Sequence, residues 1–522
     1  MLTMSRLIAL VCALVYSSDA ARILAVFPTP SISHQVVFRP LTHELARRGH
    51  EVTVVTTDPA FPKGQAPANL TEIDVHDMSY EAWRKVIANN RNGDKNDIRS
   101  QVRGFNDVCL EIFEKQTAVA EVQDIIRNKN NTFDLLLVEA WTGFALGFSH
   151  VIKAPVIAVS SFGAAGDNYD VMGAPIHPLL YPLPTAIRVY NLSLWEKVTE
   201  YYNYFTIIND VRNAEIYENA VLRRIFGEDT PSLSELKNNI GMMFLNIHPQ
   251  WEGNIPVPPS VIHIGGIHQK PEMDLPQDLK QYLDSSKHGV IYLSFGTNVD
   301  TSILPREKIQ SIINALSQLP YDVLWKWNQD ELPGRTKNIR ISKWFPQSDL
   351  LRHPKVKLFI TQGGLQSTDE TITGGVPVIG IPMIGDQFYN ADKYVIHKIG
   401  KKLCLEDLTE NTLRTATISL TLTNRQFLSH YRDNVIRLRT LMNDQPTSSL
   451  DRAIWWTEHV LRHGTKHLRA PAANMHWFEY YDGQLLVIVL CAVSTVILLS
   501  SVVLRKIIKV VSSNVNVKFK VT

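Results

Sequence analysis

The sequence predicts an α/β protein with two parallel-sheet domains that face a cleft, followed by one membrane-spanning helix. Three observations predict this fold. Strands alternate with amphipathic helices in two regions, a proline-rich segment at 255–260 separates those regions, and residues 485–504 are apolar and uncharged. Strand–helix–strand units with short links form parallel sheets of one hand. Such sheets bind ligands at the carboxyl ends of their strands, so we expect the functional residues there.

The totals set the number of domains and exclude one class of partner. At 522 residues the chain exceeds one compact domain. Its 53 basic and 51 acidic residues give a net charge of +2, which argues against nucleic acid as a partner. The predicted segments are a signal peptide (1–20), two α/β domains (21–258 and 259–445), carboxyl-terminal helices with a membrane-proximal stretch (446–482), a transmembrane helix (483–504) and a cytosolic tail (505–522).

The first region alternates between strands and helices. Apolar residues recur with helical spacing at about Val36–Arg48, and Gly49 ends the pattern. Short apolar runs predict strands at Arg22–Pro28, Glu51–Thr57, Phe133–Glu139 and Val156–Ser160. Between about Asp167 and Phe205 the chain becomes rich in Pro, Tyr and Leu without a clear period. This composition indicates the wall or cover of a pocket.

The second region repeats the pattern from about Val261 onwards. Its predicted strands are VIYLSFG, DVLWKW, NIRISKW, VKLFITQ and PVIGIP, and a helix is expected at Arg306–Leu319. Two sheets of this kind in tandem form a cleft between their strand ends.

Both ends of the chain indicate a membrane-bound, lumenal protein. Residues 1–20 combine Arg6, an apolar run and small residues before the cleavage position, as signal peptides do. Residues 485–504 are long enough to span a bilayer, and the basic residues after them predict a cytosolic tail. The expected protein is therefore a single-pass type I glycoprotein. Three glycosylation sequons fit this orientation, at Asn69, Asn130 and Asn191.

The stretch FITQGGLQSTDE has two readings. Gly363 and Gly364 end a β-branched run and open a helix, and the free N–H groups of such a helix end bind phosphate. Gln366, Ser367 and Glu370 share one helix face. The alternative is structural, because Ser367 and Glu370 also match a capping box.

Neighbouring strand ends favour the binding-site reading. KWFPQ ends one strand with Trp344 and Gln347, an aromatic face and an amide suited to a planar base. IGDQ ends another with Asp386 and Gln387. No GxGxxG follows a strand and no GxxxxGK[ST] occurs, which argues against a standard dinucleotide or P-loop site.

The stretch WFPQSDLLRHPKVKLFITQGGLQSTDETITGGVPVIGIPMIGDQ resembles the signature of the membrane-anchored UDP-glycosyltransferases. The segment GGLQSTDE is most similar to the corresponding segment of arthropod members. The resemblance continues through HIGGIHQKPEMDLPQDL, VIYLSFGTNV and DQPTSSLDRAIWWTEHVLRH, so it covers most of 260–470. It implies a GT-B fold, in which two Rossmann-like domains face a cleft and a UDP-sugar lies on the carboxyl-terminal domain.

The resemblance also implies roles for residues of the second domain. Trp344 would stack on uracil, and Gln347 would hydrogen-bond the base. Glu370 would accept both ribose hydroxyls, and Asp386 and Gln387 would hold the sugar. The remaining donor-site residues are Ser294, Thr297 and Ser367 at the phosphates, Gln362 beside a phosphate, and Gly363, Gly364 and Gln366 at the phosphate-binding start of the helix.

In the first domain the resemblance implies a catalytic pair. His34 occupies the position of the family's base, although a lone histidine is often structural. Glu139 ends a strand of the same sheet, where a carboxylate fixes the imidazole tautomer. Relatives usually have Asp at this position, and many have His in place of Gln362. A neutral amide lacks the charge of an imidazolium, so we expect the helix amino terminus and hydroxyl donors to compensate.

The resemblance therefore implies an inverting hexosyltransferase. It would move a sugar, expected to be glucose, from a UDP-sugar to a hydroxyl of a small lipophilic acceptor, as in detoxification. No metal and no cofactor beyond the UDP-sugar is expected. Lys518 and Lys520 resemble a retrieval signal, which favours the endoplasmic reticulum membrane.

Three alternatives stay open at this stage. One is a glycosyltransferase that inactivates a steroid hormone, and another is a membrane-anchored binder of lipophiles or UDP-sugars without turnover. The third is a flavin or nicotinamide oxidoreductase, which the missing GxGxxG disfavours. The sequence fixes neither the acceptor nor the oligomeric state, a homo-oligomer included, nor whether Cys109 and Cys404 pair.

Overall fold

The computed structural model describes residues 20–88, 98–128, 130–164, 167–297, 304–421 and 429–518. The predicted signal peptide, apart from Ala20, and the last four residues of the tail lie outside these ranges. The retrieval signal therefore lies almost entirely outside the described residues.

The first sheet has seven parallel strands. Their order is β3-β2-β1-β4-β5-β6-β7. Nearly every residue of the central strands is buried, as expected for a parallel sheet covered by helices on both faces. The strands are β1 Arg22–Phe27, β2 Glu51–Thr56, β3 Leu70–Asp74, β4 Leu135–Glu139, β5 Val156–Ser160, β6 Ile240–Leu245 and β7 Val261–His263.

Helices cover both faces of this sheet. The longest one begins with a capping box formed by Ser193 and Glu196. The helices are α1 Ile32–Arg47, α2 His76–Ala88, α3 Ile98–Thr117, α4 Ala120–Arg127, α5 Phe148–Val151, α6 Asn168–Met172, α7 Leu194–Phe226, α8 Leu233–Leu236 and α9 Pro249–Glu252, with short 3-10 turns at Gly143–Gly147 and Lys237–Asn239.

Strand β7 differs from the sequence-based expectation. Val261 was expected to begin the second region, but Val261–His263 pairs with Met243–Leu245 of β6. The proline-rich segment 255–260 therefore connects two strands of the first sheet, and the chain crosses to the second sheet only after His263. Three residues were too short a run to reveal which sheet they join.

The second sheet has six parallel strands in the order β10-β9-β8-β11-β12-β13. The strand order reverses between β8 and β11, because the chain adds strands on one side up to β10 and on the other side from β11 onwards. Strand β11 pairs with β8 on one side and with β12 on the other. A reversal of this kind places a crevice at the carboxyl ends of the central strands. The strands are β8 Val290–Ser294, β9 Asp322–Lys326, β10 Ile339–Ser342, β11 Val356–Thr361, β12 Val378–Gly380 and β13 Gly400–Lys402.

The remaining helices surround the second sheet or return to the first. Helix α17, Ser449–His463, packs Ala453, Ile454 and Val460 into a core cluster with β1 and α1 of the first domain. The helices of this half are α10 Gln277–Ser285, α11 Arg306–Ser317, α12 Gln347–Arg352, α13 Leu365–Gly374, α14 Gln387–Ile396, α15 Glu410–Thr421, α16 Ser429–Asn443, α17, α18 Trp477–Tyr480 and α19 Gly483–Lys518, with a 3-10 turn at Lys466–Leu468.

One core cluster joins the two sheets. It includes Leu24 and Val138 of the first sheet and Tyr292 and Phe359 of the second. Trp251 of the first domain is fully buried and contacts Tyr394 of the second domain, with 6.0 Å between the ring centroids. The two domains therefore share buried apolar contacts as well as the cleft.

Helix α19 is the candidate membrane span. Its segment Gly483–Ser512 is long and apolar enough to cross a bilayer, and none of its most apolar window is buried against the rest of the protein. An apolar helix with no protein partner needs an apolar solvent. The predicted span 483–504 begins at the same residue.

Candidate active site

The two residues expected to form a catalytic pair meet at the carboxyl end of the first sheet. His34 lies in the first turn of α1, just after β1, and Glu139 is the last residue of β4. Strands β1 and β4 are neighbours in the sheet. His34 Nδ1 lies 2.7 Å from Glu139 Oε1, and the Glu139 side chain is fully buried.

Glu139 is one methylene longer than the aspartate expected at this position, and a second hydrogen bond holds its carboxylate in place. The backbone N–H of Thr29 donates to Glu139 Oε2 at 3.2 Å. One carboxylate oxygen thus anchors the side chain while the other faces the imidazole. An ionised carboxylate only accepts, so the imidazole proton lies on Nδ1 and Nε2 keeps a free lone pair. No residue that the structure describes bonds to this Nε2.

Aromatic side chains extend from His34 into the first domain. The ring of Phe162 meets His34 edge to face at 5.4 Å, and Trp141 lies 4.1 Å from Phe162, between ring centroids. Phe105 and Trp83 continue the array. Trp141 Nε1 is buried without a hydrogen-bond partner among the described residues. The array forms an apolar wall with one unpaired donor, directly beside the imidazole.

The segment 167–205, predicted to form the wall or cover of a pocket, touches this array at one end. Asn168 Nδ2 donates to the carbonyl of Ala140, next to Trp141, at 3.2 Å. Farther along, the Val189 N–H donates to Asp392 of the second domain at 2.8 Å. The segment therefore connects the aromatic wall to the opposite side of the cleft.

The capping-box interpretation of FITQGGLQSTDE is wrong. Helix α13 begins at Leu365 with Gly364 as its N-cap residue, so Ser367 lies inside the first turn and cannot cap it. Gly363 has φ of +95°, and a Cβ there would stand 3.1 Å from the carbonyl oxygen of Gln387. The positive φ therefore favours glycine, and the space for a Cβ is tight as well. The Leu365 N–H at the start of α13 bonds to the Asp386 carboxylate, and Gly364 offers no side chain to cap the N–H groups that follow.

Ser367 and Glu370 bind Gln347. The Gln347 amide nitrogen donates to Glu370 Oε2 at 2.6 Å and to Ser367 Oγ at 3.0 Å. The buried Tyr292 hydroxyl donates to Gln347 Oε1 at 3.1 Å. In this structure Gln347 orients the carboxylate of Glu370. The sequence resemblance implies only a hydrogen bond between Gln347 and the uracil base.

Burial changes the protonation of Glu370. Desolvation raises the pKa of its carboxyl to about 7, although the hydrogen bond from Gln347 and the charge of Arg352 oppose the rise. An ionised carboxylate accepts two hydroxyl protons at once, whereas a protonated one has lost that capacity. The residue predicted to hold a ribose is therefore poised between two states near neutral pH.

Asp386 and Gln387 lie at the start of α14, in the same crevice. Asp386 Oδ2 accepts from Asn390 Nδ2 at 2.8 Å, and the same amide nitrogen donates to the carbonyl of Gly363 at 2.9 Å. Gln387 Oε1 accepts the N–H groups of Met383 and Ile384. Asn390 thus joins the glycine turn to Asp386, and Gln387 shapes the loop before its own helix.

Asp386 lies within electrostatic range of His34. Burial raises the pKa of the Asp386 carboxyl to about 6, while the Asn390 hydrogen bond and the charge of His34 lower it. A protonated His34 would therefore favour the ionised form of Asp386.

Gln362 and Gln366 have different environments. Gln362 is buried, its Oε1 has no partner among the described residues, and its Nε2 packs against Gly296, where a Cβ would approach to 2.3 Å. Gln366 Nε2 instead donates across the cleft to the carbonyl of Ser161 at 3.1 Å. Gln362 thus stays in the crevice, whereas Gln366 links the domains.

The turn after β8 carries the other predicted phosphate ligands. Ser294 is buried and its Oγ accepts from the Gly296 N–H at 3.3 Å, while Thr297 is exposed. Trp344 presents an exposed face, with two thirds of its surface accessible. A flat, exposed indole at a strand end is available for stacking.

Lys326 is a residue that the sequence analysis missed. It ends β9, it is buried, and its Nζ donates to the Gly296 carbonyl at 2.5 Å. The same Nζ lies 5.7 Å from the centroid of the Trp344 ring. Burial lowers the pKa of the ammonium. Lys326 therefore adds a cation beside the turn that also contacts the neutral Gln362.

Replacing Lys326 with methionine is expected to weaken binding of the UDP-sugar that the sequence resemblance implies by about 10-fold or more, because hydrogen bonds to charged groups contribute about 1.5–3 kcal/mol. Lys326→Arg keeps the charge and is the matched control. Calorimetric titration of both variants checks this. Equal affinity of the Lys326→Met variant and the unsubstituted protein would show that Lys326 only tethers Gly296.

Tyr292 and Asn390 were also missed, and each has a weak signal in the sequence. Asn390 stands four residues after Asp386 on the helix, so the two share a face. Tyr292 is the only polar-tipped side chain in the run VIYLS before its final serine. Lys326 likewise ends the apolar run DVLWK. A polar group within a buried strand requires a partner.

Two parallel sheets with a crevice at the point where the strand order reverses define the GT-B fold. Solved structures support this fold assignment. One is UGT89C1 of Arabidopsis thaliana complexed with UDP-L-rhamnose, with a TM-score of 0.57, 15% identity, and coverage of 85% of this chain and 100% of that chain. An identity this low speaks for the fold alone.

Residues 22–520 match the family model of UDP-glucoronosyl and UDP-glucosyl transferases, and the chain belongs to this family. An ecdysteroid UDP-glucosyltransferase of Spodoptera littoralis nuclear polyhedrosis virus is 34% identical over 89% of this chain and 93% of its own length. UDP-glucosyltransferase 2 of Dactylopius coccus is 32% identical over 91% of this chain and 90% of its own length. The chain is thus an enzyme of the UDP-glycosyltransferase class that uses a UDP-sugar donor, which confirms the resemblance.

Proposed function

We propose that this enzyme transfers glucose from UDP-glucose to a hydroxyl group of a small lipophilic acceptor, with inversion at the anomeric carbon. The hydrogen-bonded pair of His34 and Glu139 at the carboxyl end of the first sheet carries this proposal. It offers a base whose free nitrogen points away from its carboxylate partner. The glucosyltransferase names of the relatives support the choice of sugar.

In the proposed reaction, His34 Nε2 removes the proton from the acceptor hydroxyl. The oxygen then attacks the anomeric carbon from the face opposite the nucleotide, the bond from that carbon to the UDP oxygen breaks, and the products are a β-glucoside and UDP. Glu139 stabilises the imidazolium that forms, because its carboxylate already accepts from Nδ1. Such positioned proton transfer contributes about 10²–10⁴-fold to a rate.

The second domain would hold the donor. Trp344 stacks on the uracil, Glu370 accepts the ribose hydroxyls in the orientation that Gln347 imposes, and Asp386 with Gln387 binds sugar hydroxyls. The start of α13 and the cation of Lys326 counter the charge of the diphosphate as it leaves. The remaining proposed donor contacts are Ser294, Thr297, Gln362, Gly363, Gly364, Gln366 and Ser367.

The acceptor would lie against the aromatic wall of Phe162, Trp141 and Phe105. This wall favours a flat or polycyclic apolar molecule, and the unpaired Trp141 Nε1 favours one with a second oxygen. Detoxification of plant compounds or other foreign lipophiles fits such a site. The type I orientation with lumenal domains, in the endoplasmic reticulum membrane, is part of the same proposal, since lipophilic acceptors partition into membranes.

Ecdysteroids are the second candidate class of acceptor. The relative from Spodoptera littoralis nuclear polyhedrosis virus is named for them. A steroid is apolar, polycyclic and rich in hydroxyl groups, so it fits the same wall. In that case the enzyme inactivates an endogenous hormone instead of a foreign compound.

A product assay tests the proposal. The full chain is incubated with UDP-glucose, UDP-glucuronic acid or UDP-N-acetylglucosamine and with a panel of phenols, plant aglycones and ecdysteroids. We expect UDP release and a β-linked glucoside with UDP-glucose. Preference for another donor overturns the choice of glucose, an α-linked product overturns inversion, and no UDP release with any pair overturns turnover itself.

A further inference from the structure

Trp251 of the first domain packs against helix α14 of the second domain. The side chain belongs to α9 and is fully buried. Its indole stacks on the ring of His397, with 5.2 Å between the centroids and 20° between the ring planes, and the ring of Tyr394 lies 6.0 Å away. Tyr394 is in α14 and His397 follows its last residue. The indole therefore rests on the helix that begins at the expected sugar ligands.

The indole N–H of Trp251 makes one hydrogen bond, and it crosses the domain boundary. It donates to Asn390 Oδ1 at 2.9 Å. The nitrogen of the same amide donates to the Gly363 carbonyl at 2.9 Å and to Asp386 Oδ2 at 2.8 Å. Asn390 is only 2% exposed, so its amide depends on these three protein partners.

The chemistry of the three partners fixes the orientation of the Asn390 amide. An indole N–H only donates, whereas a carbonyl and an ionised carboxylate only accept. The amide oxygen must therefore face Trp251, and the amide nitrogen must face Gly363 and Asp386. The opposite orientation would place the amide nitrogen against the indole N–H and the amide oxygen against two acceptors.

The oriented amide holds two parts of the expected donor site. Gly363 is the residue with positive φ just before α13, and Asp386 is the expected ligand of the sugar hydroxyls. Burial raises the pKa of the Asp386 carboxyl to about 6, and the hydrogen bond from Asn390 opposes that rise. The amide thus favours the ionised carboxylate, which is the form that accepts hydroxyl protons.

The backbone of α9 is fixed to the same helix. The Tyr389 hydroxyl donates to the Glu252 carbonyl at 3.0 Å. Tyr389 and Asn390 are adjacent in α14, as are Trp251 and Glu252 in α9. The two neighbouring contacts hold the two short stretches of chain together, so the indole nitrogen stays directed at the Asn390 amide.

We propose that Trp251 is a positioning residue for sugar binding, because its indole N–H orients the Asn390 amide and, through that amide, the Asp386 carboxylate. Without the N–H, Asn390 Oδ1 is left buried and unpaired, which favours rotation of the amide away from Asp386. The inference rests on the proposed role of Asp386 as a ligand of the donor sugar. It makes the sugar site of the second domain dependent on a side chain of the first.

An isosteric substitution tests the N–H by itself. Trp251→benzothienylalanine, introduced into the full chain by suppression of an amber codon, keeps the bicyclic ring and replaces the N–H by sulfur. Trp325→benzothienylalanine is the matched control, since Trp325 is equally buried and its Nε1 has no hydrogen-bond partner among the described residues. Calorimetric titration with UDP and with UDP-glucose gives the ratio of the two affinities, which isolates the contribution of the sugar. The titrations are made at about pH 8, above the pKa of about 6 at Asp386.

The Trp251 substitution is expected to lower the affinity for UDP-glucose relative to UDP by about 5- to 10-fold, the usual effect of one hydrogen bond. The Trp325 substitution should leave the ratio unchanged. In an Asn390→Ala background the Trp251 substitution should change the ratio no further, because the N–H acts only through Asn390. An unchanged ratio in the Trp251 variant overturns the proposal, and so does an equal further loss in the Asn390→Ala background, which a merely structural role would produce.

Asp386→Asn separates this result from a failure of the proposed function. Asparagine keeps the size of the side chain but lacks its charge, so the ratio should also fall if Asp386 binds the sugar. An unchanged ratio in Asp386→Asn refutes the sugar contact itself and removes the basis of the inference. A lowered ratio in Asp386→Asn, together with an unchanged ratio in the Trp251 variant, refutes only the positioning role.

Discussion

Replacing His34 with alanine is expected to lower the rate of glucoside formation by about 10²–10⁴-fold, the usual contribution of a positioned base. UDP-glucose affinity should stay unchanged, because the donor contacts belong to the other domain. Single-turnover rates and calorimetric titration of the donor separate the two effects. Glucoside formation at the original rate would show that the base is another group and would refute the proposed mechanism.

Glu139→Gln is the sharper companion to this variant. Glutamine has nearly the same size but can donate its amide N–H to His34 Nδ1, which moves the imidazole proton to Nε2 and removes the lone pair that accepts the acceptor's proton. We expect a loss comparable to that of His34→Ala. The double variant should be no slower than His34→Ala alone, since the pair acts as one unit. Additive losses would mean that Glu139 serves another purpose, such as holding Thr29.

The sequence predicted the strand ends because parallel strands are nearly pure apolar runs, and polar residues that interrupt them stand out. Gly363 and Gly364 after VKLFIT, and Asp386 after a run of apolar residues and glycine, are examples. The same logic failed at β7, whose three residues are too few to identify their sheet. Its partner Met243–Leu245 lies in a strand that the sequence analysis did not single out.

Whether FITQGGLQSTDE forms a capping box or a phosphate-binding helix start depends on one backbone position. Ser367 and Glu370 match a capping box in any register, and only the observed helix start at Leu365 excludes it. Where α13 starts depends on the positive φ of Gly363 and on its close approach to Gln387 at the start of α14. Local spacing contains no information about such a contact.

Side-chain partnerships across strands were the least predictable feature. Tyr292, Gln347 and Glu370 form one hydrogen-bonded chain although they lie on a strand and two different helices. Lys326 reaches Gly296 from a neighbouring strand in the same way. Each residue alone is an unremarkable polar group near an apolar run. The sheet order, which no single segment reveals, is what makes them neighbours.

The affinity for UDP-glucose is expected to decrease as the pH is lowered, because Glu370 becomes protonated. With a pKa of about 7 in the free protein, the carboxyl is mostly ionised at pH 8 and mostly protonated at pH 6.5. Only the ionised form accepts both ribose hydroxyls, so donor binding favours proton release and a proton competes with the donor. The dissociation constant should therefore rise about fourfold from pH 8 to pH 6.5, in the direction that a raised carboxyl pKa requires.

UDP-glucose is the appropriate ligand, because the terminal phosphate of UDP itself titrates with a pKa of about 6. The window stays above the pKa of about 6 at Asp386. Burial raises the pKa of the neighbouring Asp369 to about 8, but Asp369 is not among the proposed donor contacts, so Glu370 is the contact that titrates in this window. Glu370→Gln should weaken donor binding by about 10- to 100-fold, the equivalent of about 1.5–3 kcal/mol for hydrogen bonds to a charged group. It should also remove the pH dependence, since glutamine does not titrate. A Glu370→Gln variant that keeps the fourfold change would assign the titration to another residue, and one that keeps full affinity would remove Glu370 from the ribose site.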